Sequence, residues 1–175
     1  MTHSLKSQAI RQYYKSLSIL AQVQGVDSEL TGPNVVIQPM EPLIDKAVKI
    51  IRRKEPNAFS GVRTINVGSG HGALGFVESG PNKDPSVVNV DSALISNKAA
   101  GFDPNVTEFL NELPNKNNAI KTFWTVVTLY HEVAHVKDYD ETKGFPGGES
   151  VAEAAEGDII KWMQSNLGMI KDLLL

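Results

Sequence analysis

The stretch Thr122-Phe123-Trp124-Thr125-Val126-Val127-Thr128-Leu129-Tyr130-His131-Glu132-Val133-Ala134-His135 decides how this chain is read. Apolar residues Ile120, Phe123, Trp124, Val127 and Leu129 recur at helical spacing behind a cap at Asn117 or Asn118, and they run into an H-E-x-x-H pattern. At about 100° per residue, positions four apart lie within roughly 40° of each other, so the imidazoles of His131 and His135 project from one helix face and can grip a single ion. Glu132 stands beside them, where it can reach a water on that ion. A shuffled chain of this composition produces the pattern roughly 0.006 times, so chance is a poor account of it. The apolar turns before the motif suit a helix buried beneath a cleft rather than a polar surface helix.

Composition narrows the site further. The chain has 175 residues, 41% hydrophobic and 21% charged, with four histidines and no cysteine. Thiolate zinc sites, iron–sulfur clusters, disulfide scaffolds and cysteine nucleophiles are thereby excluded, which leaves histidine and carboxylate as metal ligands. Catalytic zinc takes three protein ligands and keeps a fourth position open. No histidine comes after His135, and Asp138 and Glu141 stand where a metzincin continuation requires Gly and His or Asp. Downstream the chain instead carries Glu149-Ser150-Val151-Ala152-Glu153-Ala154-Ala155-Glu156, with carboxylates at i, i+4 and i+7 of one helical face. A second helix turned toward the first completes a His/His/Glu site.

Outward from this core, Leu5, Ala9, Tyr13, Leu17 and Leu20 mark an amphipathic first helix that ends near Gly25. A helix is expected from Pro42 to Lys54, with Leu43, Ala47, Val48 and Ile51 inward and Glu55-Pro56 closing it. Short strands are expected at Val62 to Val67, Ala73 to Glu78 and Val87 to Val90, separated by Gly/Pro/Asn-rich turns. Asp103-Pro104 opens a short helix through Leu113, and a loop from Asp140 to Gly148 leads to a final helix near Glu149. One domain over 1–175 is expected, with residues 1–25 as an appended or prosegment-like helix. A formal charge of −3 and the lack of any membrane-length apolar run argue against nucleic-acid and membrane partners. No secretory signal is evident, so a soluble, by default cytoplasmic, protein is expected, of open oligomeric state.

Over roughly Ala119 to Ile160 the chain resembles the gluzincin metallopeptidases, in particular their compact minigluzincin members, and His135-Val136-Lys137-Asp138-Tyr139 is similar to the corresponding stretch of lethal-factor-like enzymes. The resemblance implies an α+β zincin-like fold: a small, mostly antiparallel sheet packed with the active-site helix and a following carboxylate-bearing helix. It implies zinc on His131, His135 and Glu149, with Glu153 orienting His131 from outside the ligand set and Glu132 as general base in hydrolysis of a peptide or protein substrate, by default as an endopeptidase. Ser150-x-x-Glu153 is also a capping box, which leaves open that Glu153 is the ligand and Glu156 its support. Tyr139 and His71 are candidate donors to the oxyanion. A strand at the cleft rim would pair with substrate, supplied by 73–78 or 87–90.

Two other readings remain in view. Gly70, Gly72 and Gly75 fit G-x-G-x-x-G within segment 68–75, with Asp91 further on, as a nucleotide- or adenosylmethionine-binding unit requires; Gly80-Pro81 leaves no room for the helix that motif needs. Alternatively, the fold is a binding or assembly module without turnover, for example in a larger particle or a toxin system.

Overall fold

The structure, a computed structural model, describes residues 35–69, 72–98, 108, 110, 111 and 113–175. Strand β1 (Val36–Gln38) leads into helix α1 (Pro42–Lys54), and strands β2 (Thr64–Gly68), β3 (Gly75–Val77) and β4 (Val87–Asp91) come next. Helix α2 (Ser92–Lys98) continues directly from β4, and the last three helices are α3 (Lys116–Asp138), α4 (Gly148–Ser165) and α5 (Leu167–Leu174). The helix expected over Asp103 to Leu113 falls largely outside the described residues, and the 1–25 segment lies wholly outside them.

The strand order is β1-β2-β4-β3. β1 pairs parallel with β2 and β2 parallel with β4, while β3 runs antiparallel to β4. The expectation of a mostly antiparallel sheet is therefore corrected to a mixed one. The cause is connectivity: α1 is a crossover that returns the chain parallel to β1, and β4 inserts between β2 and β3, so only the 75–91 hairpin is antiparallel. Ile65, Val88 and Val90 are fully buried on the helix-covered face. On the other face Asn66 and Asn89 are register partners, and the Asn66 amide donates to Asn89 Oδ1 at 3.3 Å.

Helix α1 matches its expected bounds because Pro42 suits the first turn, where no amide is needed, and Glu55-Pro56 cannot continue it. Its buried face is Ile44, Ala47, Val48, Ile50 and Ile51. Helix α3 begins earlier than either asparagine expected to cap it, at Lys116, after Asn115 in the left-handed region (φ 55) that asparagine tolerates. From Thr122 to Tyr130 every residue of α3 is buried, as befits a helix enclosed on all sides. It packs against α1, α2, α4, α5, β3 and β4, and Thr125 satisfies its hydroxyl on the Lys121 carbonyl at 2.7 Å. At one side, Glu55 ties α1 to α3: it accepts from Tyr130 Oη at 2.9 Å and from Lys137 Nζ at 2.5 Å. Lys54 pairs with Asp158 of α4, and Arg53 with Asp172 of α5. No helix among the described residues is long and apolar enough to cross a membrane.

Candidate metal centre

The fifth and sixth turns of α3 carry His131, Glu132 and His135. The two imidazoles meet edge to face with ring centroids 4.9 Å apart and their Nε2 atoms 3.2 Å apart. Glu149, in the first turn of α4, closes the triangle: Oε2 lies 3.3 Å from His131 Nε2, and Oε1 lies 3.5 Å from His135 Nε2. A tetrahedral ion at about 2.0–2.2 Å from each ligand atom separates them by roughly 3.3–3.6 Å. The observed triangle of 3.2–3.5 Å is that size before any rearrangement. Two imidazole nitrogens and one carboxylate can thus hold a metal ion.

Orientation of the first imidazole comes from α4. His131 Nδ1 is 2.7 Å from Glu156 Oε1, so the proton sits on Nδ1 and the Nε2 lone pair points into the triangle. That hydrogen bond raises the His131 pKa, against the opposing effect of burial. Glu153, the residue expected in this role, is exposed, which corrects the outer partner to Glu156. Helical phase explains the difference. Measured from Glu149, seven residues bring Glu156 to within about 20° of the same direction two turns on, whereas four residues carry Glu153 about 40° past it. The capping-box reading also fails. Ser150 is the third residue of α4, and its hydroxyl donates to the Gly147 carbonyl at 2.7 Å rather than receiving an amide. His135 is 8% exposed, and burial, together with the adjacent His131, lowers its pKa; its Nδ1 has no partner among the described residues.

Glu132 is the most perturbed carboxyl in the centre. It is 4% exposed, and burial pushes its pKa up to about 7, with His131 pulling it down and Glu149 and Glu156 pushing it further up. Its Oε2 is buried with no partner among the described residues, a costly arrangement for a carboxylate unless a ligand or ion shares the site. Directly above it lies Gly75, the first residue of β3. A Cβ there would stand 2.7 Å from Glu132 Cγ and 2.9 Å from Oε1. The glycine is needed for close approach of strand to carboxylate, not for a phosphate cradle.

The other features of segment 68–75 agree with that assignment. The glycines lead into a strand, and Asp91 is 2% exposed, its Oδ1 accepting the Leu94 amide at 2.8 Å to cap α2. Gly70 and His71 lie outside the described residues, so the expectation for His71 has no structural counterpart here.

The cleft over the centre has a volume of about 250 Å³. Its base is His131, Glu132 and His135, one wall is Gly75, Phe76 and Val77 of β3, and Phe145 and Glu149 form the other. β3 pairs with β4 on one side only among the described residues, whereas β4 is paired on both, so of the two candidate rim strands only β3 is an edge. Tyr139 does not line the cleft. It is the C-cap of α3, where the backbone leaves helical geometry, and its ring packs on Phe145 (5.7 Å between centroids), which in turn packs on His135 (5.5 Å). Phe145 is the cleft residue that sequence reasoning missed, because a lone aromatic in a polar loop carries no signal. Gly75 falls in the expected rim strand 73–78, but its close approach to Glu132 was not legible.

Compared with protein-family models, curated proteins and solved structures, the chain matches none.

Proposed function

We propose that the chain is a zinc-dependent peptidase with a gluzincin-like centre, in which His131, His135 and Glu149 hold the ion and Glu132 is the general base. The observation that carries this reading is the 3.2–3.5 Å triangle of ligand atoms beside a buried carboxyl and beneath an edge strand. Two imidazoles and one carboxylate are the donor set of a hydrolytic zinc site with an open fourth position. When bound, zinc supplies Lewis acidity that makes water nucleophilic near neutral pH and polarises a peptide carbonyl.

The chain's own residues supply the rest. Glu132, with a pKa near 7, both accepts a proton from the attacking water and returns it to the leaving amine, since a group titrating near the working pH is effective in both directions. Glu156 keeps His131 in the Nδ1–H tautomer throughout. β3, an edge strand among the described residues, is placed to align an extended peptide, which would lie between the strand and Phe145. Proton transfer, ligand orientation and substrate alignment thus come from separate elements: α3, α4 and the sheet edge.

The test is metal analysis of the purified chain together with cleavage profiling on a peptide library. One zinc per chain is expected, with cleavage that Glu132→Gln abolishes while the metal stays. Metal without any cleavage would instead favour a binding or assembly module, and no stable metal would sink the centre itself.

A further inference from the structure

We propose that Asp138 is a positioning residue for the metal centre: it holds the start of α4 and thereby sets the place of Glu149, which it does not touch. The inference rests on the His131/His135/Glu149 centre but not on peptidase activity. Glu149 needs such help. Its side chain is 74% exposed, and its ion-pair contacts are with the two imidazoles it would share a metal with. A carboxylate on a surface turn has many rotamers, and only a fixed backbone keeps those few that reach between His131 and His135.

No side chain caps the first amides of α4, and the Gly148 amide turns back to the Phe145 carbonyl of the same loop at 3.1 Å. The N-cap residue is Gly147, which has no side chain to cap with, and Ser150 bonds to a carbonyl rather than to an amide. The loop that precedes it is closed on itself. Asp140 and Gly144 form a two-way backbone bridge, and Asp140 Oδ1 accepts the amides of Thr142 and Lys143.

Asp138 provides the missing attachment. Its Oδ2 accepts the Gly147 amide at 2.7 Å, a charge-assisted bond across the loop. Packing at the same point gives an independent sign. A Cβ on residue 147 would lie 2.9 and 3.1 Å from the two Asp138 oxygens and 2.2 Å from Val151 Cγ2, so the carboxylate is seated against the backbone where only glycine fits. The link between ligands is therefore short: three residues of rigid helix from His135 to Asp138, one hydrogen bond, and two residues from Gly147 to Glu149. Without the bond, the connection runs through eight loop residues.

Zinc affinity of the full chain, measured by competition with a chromophoric chelator, tests this without reference to turnover. Asp138→Ala is expected to weaken zinc about 10–100-fold, the usual range for residues that orient a ligand. Asp138→Asn keeps an acceptor oxygen and should stay within about twofold. Gly147→Ala, which displaces the same junction from the other side, should reproduce the loss. The decisive arm is a double-mutant cycle: in a Glu149→Ala background, Asp138→Ala should change affinity by less than about twofold, because the ligand it positions is gone. Unchanged affinity in Asp138→Ala, or an equal loss in the Glu149→Ala background, overturns the proposal. If Asp138→Ala does not fold, the cycle between Gly147→Ala and Glu149→Ala decides by the same criterion. Loss of cleavage at normal zinc affinity in any variant would bear on the peptidase reading alone.

Discussion

Replacing Gly75 with alanine inserts one methyl group between the sheet edge and Glu132, the proposed general base. The new Cβ would stand 2.7 Å from Glu132 Cγ, 2.9 Å from Oε1 and 3.1 Å from Cδ. Carbon atoms in contact sit about 3.5–4.0 Å apart, so strand or carboxylate must retreat by about 1 Å. Misplacing a reacting group by about 1 Å costs on the order of 100-fold in rate, or about 2.7 kcal/mol of barrier. The stability cost is smaller. Overpacking loses about 1–3 kcal/mol, and the stiffer unfolded chain returns about 0.4–1 kcal/mol, for a net loss on the order of 1 kcal/mol. The assays are kcat/KM on a peptide cleaved by the wild type, zinc content, and urea unfolding of Gly75→Ala alone and combined with Glu132→Ala. Activity should fall about 100-fold with zinc retained, and the stability loss should vanish once Glu132 is shortened. Cleavage within threefold of wild type, or a stability loss that persists without the Glu132 side chain, refutes the contact.

The same geometry sets other outcomes. Because burial lifts the Glu132 pKa to about 7, the folded metal-free protein holds a proton that the unfolded chain has released. This group's contribution to stability therefore falls as pH rises from about 4.5 to about 7, by up to about 3 kcal/mol, and then levels off. Glu132→Gln should remove that slope in urea unfolding under chelator at pH 5 and 7.5, and parallel pH profiles for the two proteins would contradict it. Glu156→Ala should weaken zinc about 10–100-fold while Glu153→Ala stays within about twofold; the reverse order in chelator competition would restore Glu153 as the partner of His131. Tyr130→Phe removes the bond to Glu55 and should cost about 1–2 kcal/mol in urea unfolding, with zinc affinity unchanged.

The parts of this fold legible in the sequence are those governed by local chemistry. Pro42 and Glu55-Pro56 bound α1 because proline's missing amide acts at its own position, and the His131/His135 pair declares its face because the helical repeat is fixed. Strand direction was not legible. Whether Val87–Asp91 joins the sheet beside β2 or beyond β3 is a tertiary choice that leaves no mark in three to five residues. β1 was missed for a similar reason, being three residues long with Pro39 next to it. In α4 a local signal pointed to an alternative that the structure does not adopt: Ser150-x-x-Glu153 has the form of a capping box, but the helix starts earlier, at Gly148, and its N-cap Gly147 is held by its own amide on Asp138. The outer partner of His131 depended on a phase difference of a few tens of degrees between two glutamates, which only the packing of α4 on α3 resolves.

The cleft is bounded by two materials of unequal firmness. Its floor belongs to a 23-residue helix buried on all sides for most of its length, so amide hydrogens near Thr128 to Ala134 exchange only when the whole protein opens. Its rim is three residues long and paired with β4 at three register positions, with no second strand beside it among the described residues, so its hydrogen bonds open at lower cost than those of the floor. In the proposed peptidase, a bound peptide would shift the rim to suit its own side chains while the ligand triangle beneath stays fixed. Selectivity along the groove would then be set by how far the strand yields, and chemistry by a floor that does not.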